Sequence, residues 1–229
     1  VLSNPYIWIS YKNTIVYTVV GTCVNMVMTT TMAYSLSKKY LFGRKFFSVF
    51  TIFTLFFNGG IIPNYILINK LGLIDSMWAL ILPIAIGTWN LMVMRTYFEG
   101  LPSEIEESAA IDGCNPLQVL VKIVLPVSKP ILATITLFYA VWHWNMYFSP
   151  LIYLNDKEKY PIQIFLQQIL ITGETSFANT VVSIEDTHLL ISDTVKYATI
   201  IVAILPIIIV YPFLQKYFIK GVLIGSVKG

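Results

Sequence analysis

The side chains of this sequence predict an all-α membrane protein, and composition, run length and pattern each lead there. Of the 229 residues, 56% are hydrophobic and 12% charged, against roughly 25% charged in a soluble domain. Several apolar stretches approach or exceed the roughly 20 residues that a helix needs to cross about 30 Å of hydrocarbon. They are too long and too evenly apolar for the alternating strands of an outer-membrane barrel, and a lipid-facing backbone must satisfy its own hydrogen bonds.

Hydropathy gives about five spans, at 14–37, 46–68, 76–98, 127–147 and 195–218. Tyr6, Trp8 and Tyr11, ahead of the first, suit an interfacial segment, where amphipathic rings settle at headgroup depth. Asn58, Gly59, Gly60 and Pro63 interrupt the second span. A break is expected there, with the remainder irregular or re-entrant and its freed backbone groups covered by protein or water.

Lys38, Lys39, Arg44 and Lys45 crowd the loop after the first span, and Lys216, Lys220 and Lys228 follow the last, which makes both regions cytoplasmic. The connection at 70–75 then lies outside, the segment 99–126 inside, and the long stretch 149–194 outside. Within that stretch, 162–172 has the pattern of a short amphipathic helix. Five spans ending inside place residue 1 outside, and the chain opens on Val1 with no secretory signal. An upstream span in the full protein is the expectation.

A net charge of +3 is too small to argue for nucleic acid, and orientation in the membrane explains the basic residues better. Cys23 falls inside an apolar run and Cys114 in the cytoplasmic segment, so a disulfide between them is not expected. His143 and His188 stand without any Cys/His cluster, which argues against a metal site.

The segment between the third and fourth spans, 101–126, reads as two short helices joined by a sharp turn. Ser103 followed by Glu106 predicts a capping box, and Glu104, Glu106 and Glu107 lie where a helix N-terminus favours negative charge. The first helix runs to about Ile111. Gly113 supplies the backbone freedom to end it; Asn115 as cap, Pro116 at the first position and Gln118 as a second box partner restart the chain.

Glu107-Ser108-Ala109, three residues, Gly113, nine residues, Ile123, one residue and Leu125-Pro126 resemble the EAA loop of binding-protein-dependent ABC importer permeases. Ser108 stands where that pattern usually has alanine, a small residue for a small one. Phe57-Asn-Gly-Gly-Ile-Ile-Pro-Asn-Tyr65, Leu71-Gly-Leu73, Trp142-His-Trp-Asn145, Tyr160-Pro-Ile-Gln163 and the tail 215–229 look like the carbohydrate-uptake branch, particularly permeases for complex oligosaccharides.

The resemblance implies a type I permease bundle of six spans, of which about five are present here, as one transmembrane domain over 1–229. It implies a multi-pass protein of the bacterial cytoplasmic membrane that binds no cofactor, with ATP and Mg on a partner ATPase dimer. The further implied partners are a second homologous permease, an extracytoplasmic sugar-binding protein received on the outer face, and membrane lipid. By resemblance, the first EAA helix enters a cleft of the ATPase, where Glu107 meets a basic residue and Ala109, Ala110 and Gly113 permit close approach. Ser108, Asp112, Asn115, Pro116, Ile123, Leu125 and Pro126 complete the docking segment. The Gly-x-x-x-x-Gly-Lys-Ser/Thr phosphate loop is absent from the sequence, so hydrolysis is assigned to the partner.

Sugar recognition uses aromatic faces together with amides and hydroxyls. The fourth span offers Tyr139, Trp142, His143, Trp144, Asn145 and Tyr147 near its outer half; Asn25, Thr29, Asn58, Asn64, Tyr65 and Asn90 are further candidates for a polar pathway. The rings equally suit an interfacial belt, and the polar groups equally serve as hydrogen-bond glue between helices. His143 invites a proton relay, but no acidic residue lies mid-span and Arg95 is close enough to the cytoplasmic end to snorkel. The outer stretch 149–194 could equally be a lid packed on the permease itself. A secondary transporter needs coupling-ion chemistry or inverted repeats, and a membrane enzyme needs paired carboxylates, a metal constellation or a nucleophile with its base. None of these is found.

Overall fold

The computed structural model describes residues 5–172 and scattered positions from 197 to 209. Among these residues the regular structure is helical: α1 (Pro5–Ser37), α2 (Arg44–Phe56), α3 (Ile61–Lys70), α4 (Trp78–Ile81), α5 (Thr88–Glu99), α6 (Ser103–Ile111), α7 (Pro116–Val119), α8 (Leu125–Val127), α9 (Lys129–Trp144), α10 (Phe148–Tyr153) and α11 (Ile162–Thr172). They fall into two compact units. One is drawn from 5–21, Asn64–Pro83 and 140–172, the other from Thr22–Pro63 and Ile84–Tyr139. The expected fifth span, 195–218, the part 173–194 of the outer stretch and the tail 215–229 lie outside the described residues, apart from scattered helical positions such as Tyr197 and Ile201.

α1 is 33 residues long, about 50 Å at 1.5 Å per residue, more than a hydrocarbon core requires. Within its stretch Tyr6–Ser37 an 18-residue window reaches a mean hydropathy of 1.4, and the helix is long enough to span a membrane. It begins earlier than the expected residue 14, because Pro5 stands at the first helical position, where a missing N–H costs nothing, and no breaker comes after it. Tyr6, Trp8 and Tyr11 thus form its opening turns.

The second span breaks as expected, at 57–60. The Asn58 side chain accepts the Gly60 N–H at 2.9 Å, and Gly60 takes φ +86°. The remainder of the span is helical rather than irregular, as a broken or re-entrant span allows. α3 is a regular helix, because Pro63 falls in its first turn, where the N–H has no intrahelical partner to lose. The third span is broken too, which hydropathy did not reveal. α4 passes into a tight 3-10 turn, Leu82–Ile84, and α5 restarts at Thr88. Pro83 withdraws a donor there, and neighbouring helices satisfy the exposed backbone: the Asn25 amide donates to the Ile84 carbonyl at 2.6 Å, and the Tyr139 hydroxyl accepts the Gly87 N–H at 2.9 Å.

In the first unit, the stretch from Leu154 to Pro161 is pinned to α1 and to the turn before α4. Asp75, at φ +61°, accepts the N–H groups of Asn155 and Asp156 at 3.0 and 3.1 Å and pairs with Lys159 at 2.6 Å. Asn13 donates to the Glu158 carbonyl at 2.6 Å and Tyr17 to the Lys159 carbonyl at 2.8 Å. Two stretches that the charge pattern assigned to one side of the membrane are thus bonded to each other. α11 has the bounds expected for it.

This packing generates two expected outcomes. A Cβ at Gly21 would overlap the buried His143 ring, with Nε2 at 2.5 Å. Gly21→Ala should therefore cost about 1–3 kcal/mol as overpacking, and adding His143→Ala should recover part of it; thermal unfolding in detergent reads both. The second concerns pH. Lys159, then the Asp156 and Asn155 amides, hold the Asp75 carboxyl below the usual carboxylate range, and Asp75 in turn holds the Lys159 ammonium above its own. The carboxyl's contribution is present above about pH 4 and lost as pH falls through its lowered folded value; the ammonium's is present below about pH 10 and lost as pH rises through its raised one. Protection of the 155–160 amides, measured by hydrogen exchange and corrected for intrinsic rates, should be level between those limits and fall outside them. Asp75→Asn, which keeps an acceptor and tolerates the left-handed backbone, should loosen the stretch at neutral pH.

Candidate functional site

The segment 101–126 lies wholly in the second unit and forms a helix, a turn and a helix. Successive residues of a helix point about 100° apart, so Glu106 and Glu107 face different ways. Glu106 and Ala109 share the inner face: Ala109 is 4% exposed and packs in one cluster with Phe98, Val119 and Leu120. Glu104, Glu107, Ser108, Ala110 and Ile111 are exposed. Ala109 is thus spent on the chain's own core and unable to face a partner, while Ala110 and Gly113 remain on the surface.

The expected Ser103–Glu106 capping box does not form. Ser103 is already helical, Pro102 holds the cap position with no side-chain bond, and both Glu106 carboxylate oxygens accept from the Lys38 ammonium. A charge-assisted pair outcompetes a neutral amide for the same carboxylate. At the other end, Gly113 takes φ +78°; its N–H bonds the Ala110 carbonyl and that of Cys114 the Ala109 carbonyl, both at 3.0 Å. This pair of bonds is a Schellman closure, with Asp112 as the C-cap. The expected second box is complete: Asn115 Oδ1 accepts the Gln118 N–H and Gln118 Oε1 the Asn115 N–H, each at 2.9 Å, with Pro116 at the first position.

The second helix is less regular than its sequence suggests. It loosens into a π-helical turn over Leu120–Val124, closed by the Leu125 N–H on the Leu120 carbonyl, ahead of Pro126, which has no N–H to give. Ile123 and Leu125 are half-buried along it and Pro126 is exposed. At Ser128 the chain turns by 87° into α9.

Sequence reasoning misses three ionic ties in this unit. Lys38 carries an orientation signal and Glu106 the spacing of a capping residue, yet they bond each other. Arg44 donates to the Leu36 carbonyl at 2.8 Å and to Glu99 at 2.5 Å. Arg95 bonds Glu99, one turn nearer the cytoplasmic end of α5, and Ser48, each at 2.9 Å. Opposite charges in loops assigned to one side of the membrane were the available signal.

The residues suggested for a sugar pathway are spread over both units. In the second unit Asn58 is exposed in its turn and Asn90 half-buried; Tyr139 is 4% exposed, its hydroxyl shared between Gly87 and Thr29, the latter at 2.6 Å. In the first unit Tyr65 stacks on Tyr153 with centroids 6.2 Å apart, Asn64 is half-buried and Tyr147 caps α10. Trp142, 44% exposed, meets the buried His143 edge-on, Trp144 is buried, and Asn145 is exposed with its amide donating to the Val141 carbonyl at 2.8 Å. Tyr139 and His143 are therefore packed into the fold, whereas Asn58, Tyr65, Trp142 and Asn145 present surface.

Apolar helices, some of them broken, with a capped helical pair between two of them, are what the described residues present. The chain belongs to the family described as binding-protein-dependent transport system inner membrane component, whose model matches residues 6–224. It is 45% identical, over all of its own length and 80% of the relative's, to the polygalacturonan/rhamnogalacturonan transport system permease protein YtcP of Bacillus subtilis. To protein LplC of the same organism it is 46% identical, over all of its own length and 77% of that protein's. Among solved structures it is similar to a bacterial ABC transporter involved in the import of the acidic polysaccharide alginate, at 38% identity and a TM-score of 0.84, covering 95% of this chain and 77% of the other. The type I permease architecture, the bacterial inner membrane and a transport subunit that is not itself an enzyme follow from these likenesses. A secondary transporter acting without an ATPase is not supported.

The N-termini of α6 and α7 give opposite expectations for the same kind of change. Asn115→Ala removes a working cap and should cost about 1 kcal/mol; Ser103→Ala removes none and should stay within about 0.5 kcal/mol of the unaltered protein. Thermal unfolding of the two variants side by side distinguishes them.

Proposed function

We propose that the chain is the permease subunit through which an ABC importer moves an oligosaccharide into the cytoplasm, and that the segment 101–126 is its cytoplasmic docking element for the ATPase. The supporting observation is the outer face of α6. Glu107 has no ion-pair partner among the described residues, and beside it Ser108, Ala110 and Gly113 offer a small-residue surface, with nothing within 4 Å of a Cβ built on Gly113. A basic residue of the ATPase would meet Glu107 in a charge-assisted bond, and the small residues would let the partner's backbone approach.

The names of YtcP and of the alginate transporter support a carbohydrate cargo. The pathway is proposed to run past Asn58, Asn64, Tyr65, Asn90, Tyr139, Trp142, His143, Trp144, Asn145 and Tyr147, with the exposed members meeting sugar and the buried ones holding the helices. ATP and Mg belong to an ATPase dimer. A second permease completes the opening, and the outer stretch 149–194 receives a sugar-binding protein.

Reconstitution of the complex, followed by an uptake panel of neutral and uronic oligosaccharides, tests this. Uptake should require ATP and the binding protein, and uptake by the chain alone would refute it. Glu107→Ala, or a bulky residue at Gly113, should lower recovery of the ATPase with the permease, or uptake per ATP, by about tenfold, while membrane insertion is unchanged.

A further inference from the structure

Docking alone does not explain how a push on α6 reaches a helix in the membrane. α6 does not lie flush against the end of α1: a cavity of about 550 Å³, lined among others by Tyr34, Lys38, Glu99 and Glu106 and bordered by the exposed Glu107 and Ala110, opens between them. Among the described residues one ion pair spans it. The Lys38 ammonium, with a side chain only 12% exposed, bonds both oxygens of Glu106, itself 23% exposed.

Lys38 is fixed from its own side as well. It comes directly after the last residue of α1, its N–H bonds the Ser35 carbonyl at 3.2 Å, and its ammonium lies 4.3 Å from the centre of the Tyr34 ring. A cation over an aromatic face is held by the ring's quadrupole. Tyr34 in turn packs edge-on against Phe98 at 6.3 Å, inside the cluster that receives Ala109. Beyond Lys38, Arg44 binds the last turn of α1 through the Leu36 carbonyl. The C-terminus of a 33-residue helix is thereby clamped, and Glu106 is attached to the clamp.

We infer that Lys38 and Glu106 form a strut that carries the motion of α6 to α1, so that the carboxylate next to the docking residue is a positioning residue for coupling. The two neighbouring acids then divide the work: Glu107 reaches out to the partner, and Glu106 reaches back to the membrane helix. This rests on the docking reading of α6.

The test uses the reconstituted complex and the panel sugar that the unaltered complex takes up fastest, with uptake, ATP hydrolysis and complex recovery measured together. Lys38→Gln and Glu106→Gln should assemble with the ATPase and hydrolyse ATP, but take up about three- to tenfold less sugar per ATP. The exchanged pair K38E/E106K should regain part of the lost ratio. Glu106→Asp, which keeps the charge and shortens the reach by one methylene, should fall in between, and it carries the test if a neutral variant fails to fold. An unchanged ratio in the Gln variants or in Glu106→Asp overturns the strut, as does an exchanged pair no better than either single variant. Failure of the underlying docking reading looks different: Glu107→Ala would leave both assembly and uptake intact.

Discussion

One helical turn places neighbouring side chains about 100° apart, and the candidate site depends on that rotation at Glu106 and Glu107. Ala109 and Glu106 bind the inner face of α6 to its own chain, through the cluster around Phe98 and through Lys38. The outer face is left clear because the inner one is occupied. The ends of the helical pair are closed with equal care, by the Schellman bonds at Gly113 and by the reciprocal Asn115–Gln118 bonds. These bonds fix the turn between α6 and α7, so that the two helices are joined by a satisfied backbone.

The same demand for satisfied backbone governs the membrane helices. Each break exposes donors or acceptors that hydrocarbon cannot serve, and at two of them protein groups meet part of that demand. Asn58 serves Gly60, Asn25 serves Ile84, and Tyr139 serves Gly87. Several residues that resemble a polar lining are therefore, in the first place, what permits the helices to be irregular at all.

What was legible in the sequence was local. The helix stop at Gly113, the cap at Asn115, the turn at 57–60 and the bounds of α11 are written within a few residues, and each formed. Features that depend on distant partners were not legible. The Ser103–Glu106 box has the right spacing, yet Glu106 is taken by a lysine 68 positions away. The break before α5 was hidden because hydropathy runs smoothly through Pro83, and it is viable only with Asn25 and Tyr139 alongside. Ala109 could not be told from Ala110 by the motif; burial by residues from α5 and α7 separates them. The family was legible from the motif residues, because Glu107, Gly113 and Leu125-Pro126 stand at a fixed spacing that can be read within one short segment.

A structure of the assembled complex, permease with its ATPase bound, tests the central claim most directly. The account predicts α6 seated in a cleft of the ATPase, Glu107 within about 3 Å of a basic side chain of that subunit and Glu106 still bonded to Lys38. An α6 open to solvent, or turned to the extracytoplasmic side with nothing seated against Glu107, would contradict it.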